Sequence, residues 1–115
     1  MIKRIGPSRL SPTRGRSVTY NGVVTTVATS DTKEPSLYTQ ARNALAAIDR
    51  NLIEAGTDKS RILTAMVYIT DMRNKPELNR AWDEWVDAAN PPMRACIGAD
   101  LEPPHIVEIV VTAAK

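Results

Sequence analysis

Apolar residues recur along this chain with two different periods. From Leu37 to Ala55 they fall at Leu37, Ala41, Ala44, Leu45, Ile48 and Leu52, the 3.6-residue spacing of an amphipathic helix. Pro35 just before this run and Gly56 just after it supply the usual asymmetry of helix start and stop. The opposite face, with Gln40, Arg42, Asn43, Asp49 and Arg50, is expected to meet solvent. A second helix is predicted over Glu77 to Ala88, with Leu78, Ala81, Trp82, Trp85 and Val86 as its apolar stripe. Asn90-Pro91-Pro92 ends it.

The remaining apolar runs read as strands. Ile2 to Ile5 is a short edge segment, followed by the breakers Gly6-Pro7-Ser8 and Ser11-Pro12-Thr13. Ser17 to Tyr20 and Val23 to Ala28 flank Asn21-Gly22, the pair preferred in a type I′ hairpin turn because both positions take positive φ. Ile62 to Ile69, Met93 to Ile97 and Ile106 to Ala113 complete the set. Asp71 to Pro76 is a turn-rich link, and Leu101 to His105 is a loop.

This order predicts an α+β fold: a mixed sheet of about six strands with two helices packed on one face. Two helices cover one face only. A bare second face should alternate apolar and polar residues, yet two strands are apolar on both sides. In the first, Leu63, Ala65, Val67 and Ile69 are expected to point one way, and Ile62 and Met66 the other. In the last strand Ile106 and Val110 oppose Val107, Ile109 and Val111. The second face therefore asks for a cover, and another copy of the chain is the simplest one.

Within these apolar segments stand two charges, Arg94 and Glu108. A charge in such a strand is costly unless it is paired or used. Arg94 and Cys96 are two apart and face the same side. The planar fork of an arginine matches a carboxylate, and a glutamate on a neighbouring strand can orient a water for hydrolysis. An Arg94–Glu108 ion pair that sets register explains the same residues equally well, so the residues alone leave both fates open. Cys96 reads as a small buried hydrophobe, His105 as a surface-loop residue, Asn79 as a helix-surface residue, and Trp82 and Trp85 as core.

The chain has 115 residues, 43% hydrophobic and 24% charged, which fits one globular domain over 1–115. Its single cysteine excludes an internal disulfide, and one cysteine with one histidine argues against a transition-metal site. No stretch reads as a signal peptide or a membrane span, so a cytoplasmic protein without a membrane partner is expected. Lys3, Arg4, Arg9, Arg14 and Arg16 all precede the first acidic residue, Asp31. Without interleaved aromatics for base stacking this basic arm is a weak case for nucleic acid. There is no glycine-rich phosphate loop and no nucleophile elbow.

Pro92-Met93-Arg94-Ala95-Cys96-Ile97, Val107-Glu108-Ile109, Leu78-Asn79-Arg80-Ala81-Trp82 and Val67-Tyr68-Ile69-Thr70-Asp71-Met72 together resemble the RidA/YjgF family, whose members also go by L-PSP endoribonuclease or translation inhibitor. The resemblance runs from the hairpin to the C-terminus. It implies a chorismate-mutase-like fold and a homotrimer with clefts between subunits. It also implies a cofactor-free 2-imino acid (enamine/imine) deaminase acting on a small carboxylate-bearing molecule. Carried over, Arg94 would bind the substrate carboxylate, and the backbone of Cys96 would contact the imine nitrogen or the attacking water. Glu108 would position that water, and Asn79 would line the cleft. Two regions depart from the family pattern. Thr26-Val27-Ala28-Thr29 stands where Thr-Ser-Gly-Gln is usual, and Ser11-Pro12-Thr13-Arg14 stands where a pocket tyrosine is usual. A reshaped pocket is expected. The other readings are a non-catalytic trimer binding a carboxylate metabolite and, last, a ribonuclease or translation inhibitor.

Overall fold

Asn21 (φ 51°) and Gly22 (φ 76°) close the hairpin in the computed structural model, which describes residues 1–8 and 10–115. The turn joins β2 (Ser17–Tyr20) to β3 (Val23–Thr29), and β1 (Lys3–Ile5) pairs with β2. Helix α1 (Leu37–Glu54) begins at Ser36, whose hydroxyl accepts from the Thr39 N–H at 3.1 Å. It ends in a Schellman motif: Gly56 takes φ +89°, and the N–H groups of Gly56 and Thr57 return to the carbonyls of Ile53 and Leu52. Strand β4 (Ile62–Ile69) leads through a 3-10 turn to helix α2 (Lys75–Trp85), then β5 (Met93–Gly98) and β6 (Val107–Ala114).

Helix α2 starts two residues before the predicted Glu77 and stops three before Ala88. Pro76 is tolerated in the first turn, where its missing N–H costs nothing. At the other end Val86 turns extended, and the Asp87 carboxylate captures the Ala89 N–H (3.0 Å) and the Asn90 side chain (3.1 Å) in place of another helical turn.

The six strands lie in the order β1-β2-β3-β6-β4-β5, with only β4 and β5 parallel. Both helices pack on one face, over Val24, Ala65, Val67, Ile69, Val107, Ile109 and Val111. The other face carries Val18, Tyr20, Val27, Thr112, Val110, Thr64, Met66, Tyr68 and Ile97, with no element of the described residues upon it. It is apolar and threonine-rich apart from Glu108, which lies beside Thr29 and Tyr68, and Arg4, which lies beside Val18 toward the edge.

The expected facing of one segment is wrong. Ile62 is buried on the helix side and Leu63 is 50% exposed, because the β4–β6 register shifts between Ile62 and Thr64. A bulge of one residue reverses the alternation on its near side. Helix α1 also departs from its predicted solvent face. Gln40 is fully buried: its Nε2 donates to the Glu34 and Pro104 carbonyls (2.8 and 3.0 Å), and its Oε1 accepts from the Ile106 N–H at 3.0 Å. One amide thereby fixes the loop that leads into β6. Asp49 accepts from Trp85 Nε1 at 2.9 Å, and Asn43 donates to Thr32.

Candidate functional site

The parallel register places Arg94 beside Ala65 and Cys96 beside Val67, so both side chains lie on the helix face. Arg94 is half-buried there. Its Nη2 donates to Asn79 Oδ1 on α2 at 2.9 Å, and its guanidinium carbon lies 5.3 Å from the Trp82 ring centroid. No carboxylate of the described residues comes within ion-pair distance of it. A cation that is oriented by an amide and an indole and left unneutralised is suited to an exogenous carboxylate. Asn79, expected at the helix surface, is instead the residue that holds it.

Cys96 is half-buried and packs against the hydrophobic core. Burial pushes its thiol above the ordinary range, against the smaller pull of Arg94 and Lys75. It is therefore protonated near neutrality and a weak nucleophile. Its main chain is better placed. Ala99 N–H donates to the Ile69 carbonyl at 3.0 Å, and peptide groups alternate along a strand. Ala95 and Ile97 thus face β4, while the N–H and C=O of Arg94 and Cys96 point to the outer edge of the sheet, where no strand of the described residues pairs with them.

Glu108 is elsewhere. It pairs in register with Tyr68 and Thr29, which puts its side chain on the open face, opposite to Arg94. The two strands are not neighbours either, because β4 lies between β5 and β6. An Arg94–Glu108 ion pair within the chain is thereby ruled out. Two strand spacings, roughly 10 Å, and the thickness of the sheet separate them.

What surrounds Glu108 is a groove of about 440 Å³. Strand β2 begins only at Ser17, and its last hold on β3 is Val27 N–H to the Arg16 carbonyl at 3.3 Å. Beyond that point the flank of β3 is uncovered, and the segment before β2, the C-terminal half of α1 and Glu108 enclose it. A buried polar relay sets the floor: Ser17 and Asn51 donate to the Thr26 hydroxyl (2.9 and 3.0 Å), which donates to the Arg16 carbonyl at 2.8 Å. Both departures from the family pattern lie here, with Val27, Ala28, Thr29 and Arg14 in the lining. Nothing in the hydropathy pattern signals Asn51 or Arg50 as groove residues, because their place depends on how early β2 starts.

The only histidine, His105, lies in the predicted loop. It is half-buried, and its Nδ1 is shielded without a hydrogen-bond partner among the described residues. Among the described residues no three His, Cys, Asp or Glu side chains converge on a point fit for a metal ion, and no helix is long and apolar enough to cross a membrane. Of the basic arm, Arg16 pairs with Glu54 at 2.7 Å, Arg14 lines the groove, and Arg9 lies outside the described residues.

The family model described as Endoribonuclease L-PSP matches residues 8–115. A RutC family protein of Haemophilus ducreyi is 48% identical over 99 residues, 83% of each chain. The RutC family protein YoaB of Escherichia coli is 34% identical over 98 residues, 84% of this chain and 86% of that one. Among solved structures, NMB1025 of Neisseria meningitidis, a YjgF family member, superposes with a TM-score of 0.91 at 35% identity, over 100% of this chain and 95% of that one.

Proposed function

The chain belongs to the RidA/YjgF (endoribonuclease L-PSP) family, and from that premise we propose that it is a 2-imino acid deaminase whose site is shared between copies. The observation that carries this reading is the guanidinium of Arg94, held by Asn79 with no carboxylate of the described residues within ion-pair distance. The reaction joins water to the imine carbon and releases ammonia: R–C(=NH)–COO⁻ + H₂O → R–CO–COO⁻ + NH₃.

Arg94 takes the carboxylate and fixes the imine carbon relative to the edge of β5. The outward peptide groups of Arg94 and Cys96 bond the imine nitrogen or the incoming water. Glu108 accepts one proton of that water as the C–O bond forms and passes it to nitrogen, giving a carbinolamine. The proton of the new hydroxyl follows by the same carboxylate as the C–N bond breaks and the C=O forms, so both water protons leave on ammonia. A small imino acid cannot span from Arg94 to Glu108 of the same chain, since they lie on opposite faces. The site is therefore completed by a second copy, whose groove brings Glu108 to the β5 edge. The uncovered apolar face supports the same association, and we take the assembly to be the trimer that the family resemblance implies.

The test is ammonia release from 2-iminobutyrate generated in situ by an amino acid oxidase. The wild-type protein should accelerate it, and Arg94→Ala should lose most of the acceleration. No acceleration by wild type, with a keto acid still raising its Tm, would favour a carboxylate-binding protein without catalysis.

A further inference from the structure

The groove around Glu108 holds more positive charge than a monocarboxylate substrate requires. Among the described residues, three arginines and two glutamates line it: Arg14, Arg16, Arg50, Glu54 and Glu108. Arg16 and Glu54 neutralise each other at 2.7 Å. Arg14 and Arg50 have no acidic partner within ion-pair distance among the described residues. They come from unrelated parts of the chain, the segment before β2 and the C-terminal half of α1, yet they face one cavity. Among the described lining residues only the carboxylate of Glu108 stands against them, which leaves one positive charge.

We propose that this surplus receives a second carboxylate, and that the preferred substrate is a 2-imino dicarboxylate. This inference rests on the deaminase reading above: Arg94 of one copy takes the carboxylate next to the imine, and Arg14 and Arg50 of the other copy take the distal one. Charge then balances at both ends of the ligand. The apolar part of the wall, Val27, Ala28 and Ala47, suits the short methylene chain between the two acids. Val27 and Ala28 also fill space beside β3, which favours an extended ligand reaching toward the arginines. Both guanidiniums are exposed, so the preference should weaken as salt rises.

The experiment uses ligands matched in length, one with and one without the distal acid. Binding of 2-oxoglutarate and 2-oxovalerate, the stable keto acid products, is measured by calorimetry on the full chain, beside ammonia release from the two corresponding imines. The wild-type protein should prefer the diacid by about tenfold or more in Kd and in kcat/KM. Arg14→Gln and Arg50→Gln should each reduce that ratio severalfold, and Arg50→Lys should restore part of it. Arg42→Gln makes the same charge change on α1 outside the groove, 5.6 Å over the Tyr38 ring, and should leave the ratio within about twofold. Equal affinity for the two keto acids, or a preference unaffected by both groove variants, would overturn the inference. The binding ratio is read without catalysis. A protein that prefers the diacid but hydrolyses neither imine would refute the deaminase reading and leave the anion subsite standing. One that hydrolyses both imines equally would do the reverse, and one that binds neither keto acid would refute both.

Discussion

Arg94 donates from Nη2 to Asn79 Oδ1 at 2.9 Å, a bond that locks the charged tip of an edge strand against helix α2. Asparagine suits this role because it orients the guanidinium without neutralising it. Asn79→Ala should loosen Arg94 and raise KM about fivefold to tenfold, with a smaller effect on kcat. Asn79→Asp should do more damage, because its carboxylate would pair with Arg94 and compete with the substrate. Steady-state kinetics and keto acid binding check the order of the two variants; an Asp variant better than the Ala variant would contradict it.

Gln40 joins Glu34, Pro104 and Ile106 through three hydrogen bonds in a fully buried position. Gln40→Ala should remove the partner of the Glu34 carbonyl before α1 and of the Pro104 carbonyl and Ile106 N–H at the entry to β6, costing about 2–4 kcal/mol in urea unfolding. Because the same loop positions Val107 and Glu108, activity should fall even where the variant remains folded.

The Cys96 thiol is held above its ordinary range by burial. In the window between the unfolded and the raised folded value, the unfolded chain loses its proton first. Stability should therefore fall as pH rises through that window. Alkylation by iodoacetamide at neutral pH should be slow, and Cys96→Ala should keep most deaminase activity, since the main chain does the bonding. An inactive but folded Cys96→Ala would instead point to a role for the sulfur.

Much of this fold could be read from residue patterns. The Asn21-Gly22 turn, the periodic face of α1 and the limits of β4 each follow from local chemistry. Strand pairing could not be read, because alternation tells which residues share a face and never which strand lies next door. Arg94 and Glu108 therefore looked like neighbours, and the β4 strand between them decides otherwise. The bulge that exposes Leu63 and buries Ile62 has no mark in the hydropathy pattern. Gln40 looked like a solvent residue because its burial is imposed by a loop sixty-four positions away. The site followed the same division: Arg94, Cys96, Asn79 and Glu108 stood out singly, while the groove that joins Arg14 and Arg50 exists only through tertiary packing.

The open face of the sheet predicts self-association. Val110 lies near its middle, paired with Met66 and Val27. Light scattering should give a multiple of the 12.6 kDa chain mass, threefold if the trimer holds. Val110→Lys should dissociate the assembly and remove deaminase activity together, because each site needs two copies. A wild-type protein of monomeric mass would contradict the shared site.

The most direct measurement is complementation. Arg94→Ala and Glu108→Ala are purified separately, mixed, unfolded and refolded together, and assayed for ammonia release from 2-iminobutyrate. If one site takes Arg94 from one copy and Glu108 from another, each variant alone should be nearly inactive. The mixture should then recover part of the wild-type rate, since some interfaces join an intact β5 edge to an intact groove. A mixture no more active than its components, from a wild type that is itself active, would contradict the shared site. It would mean that Arg94 and Glu108 do not act together in one site.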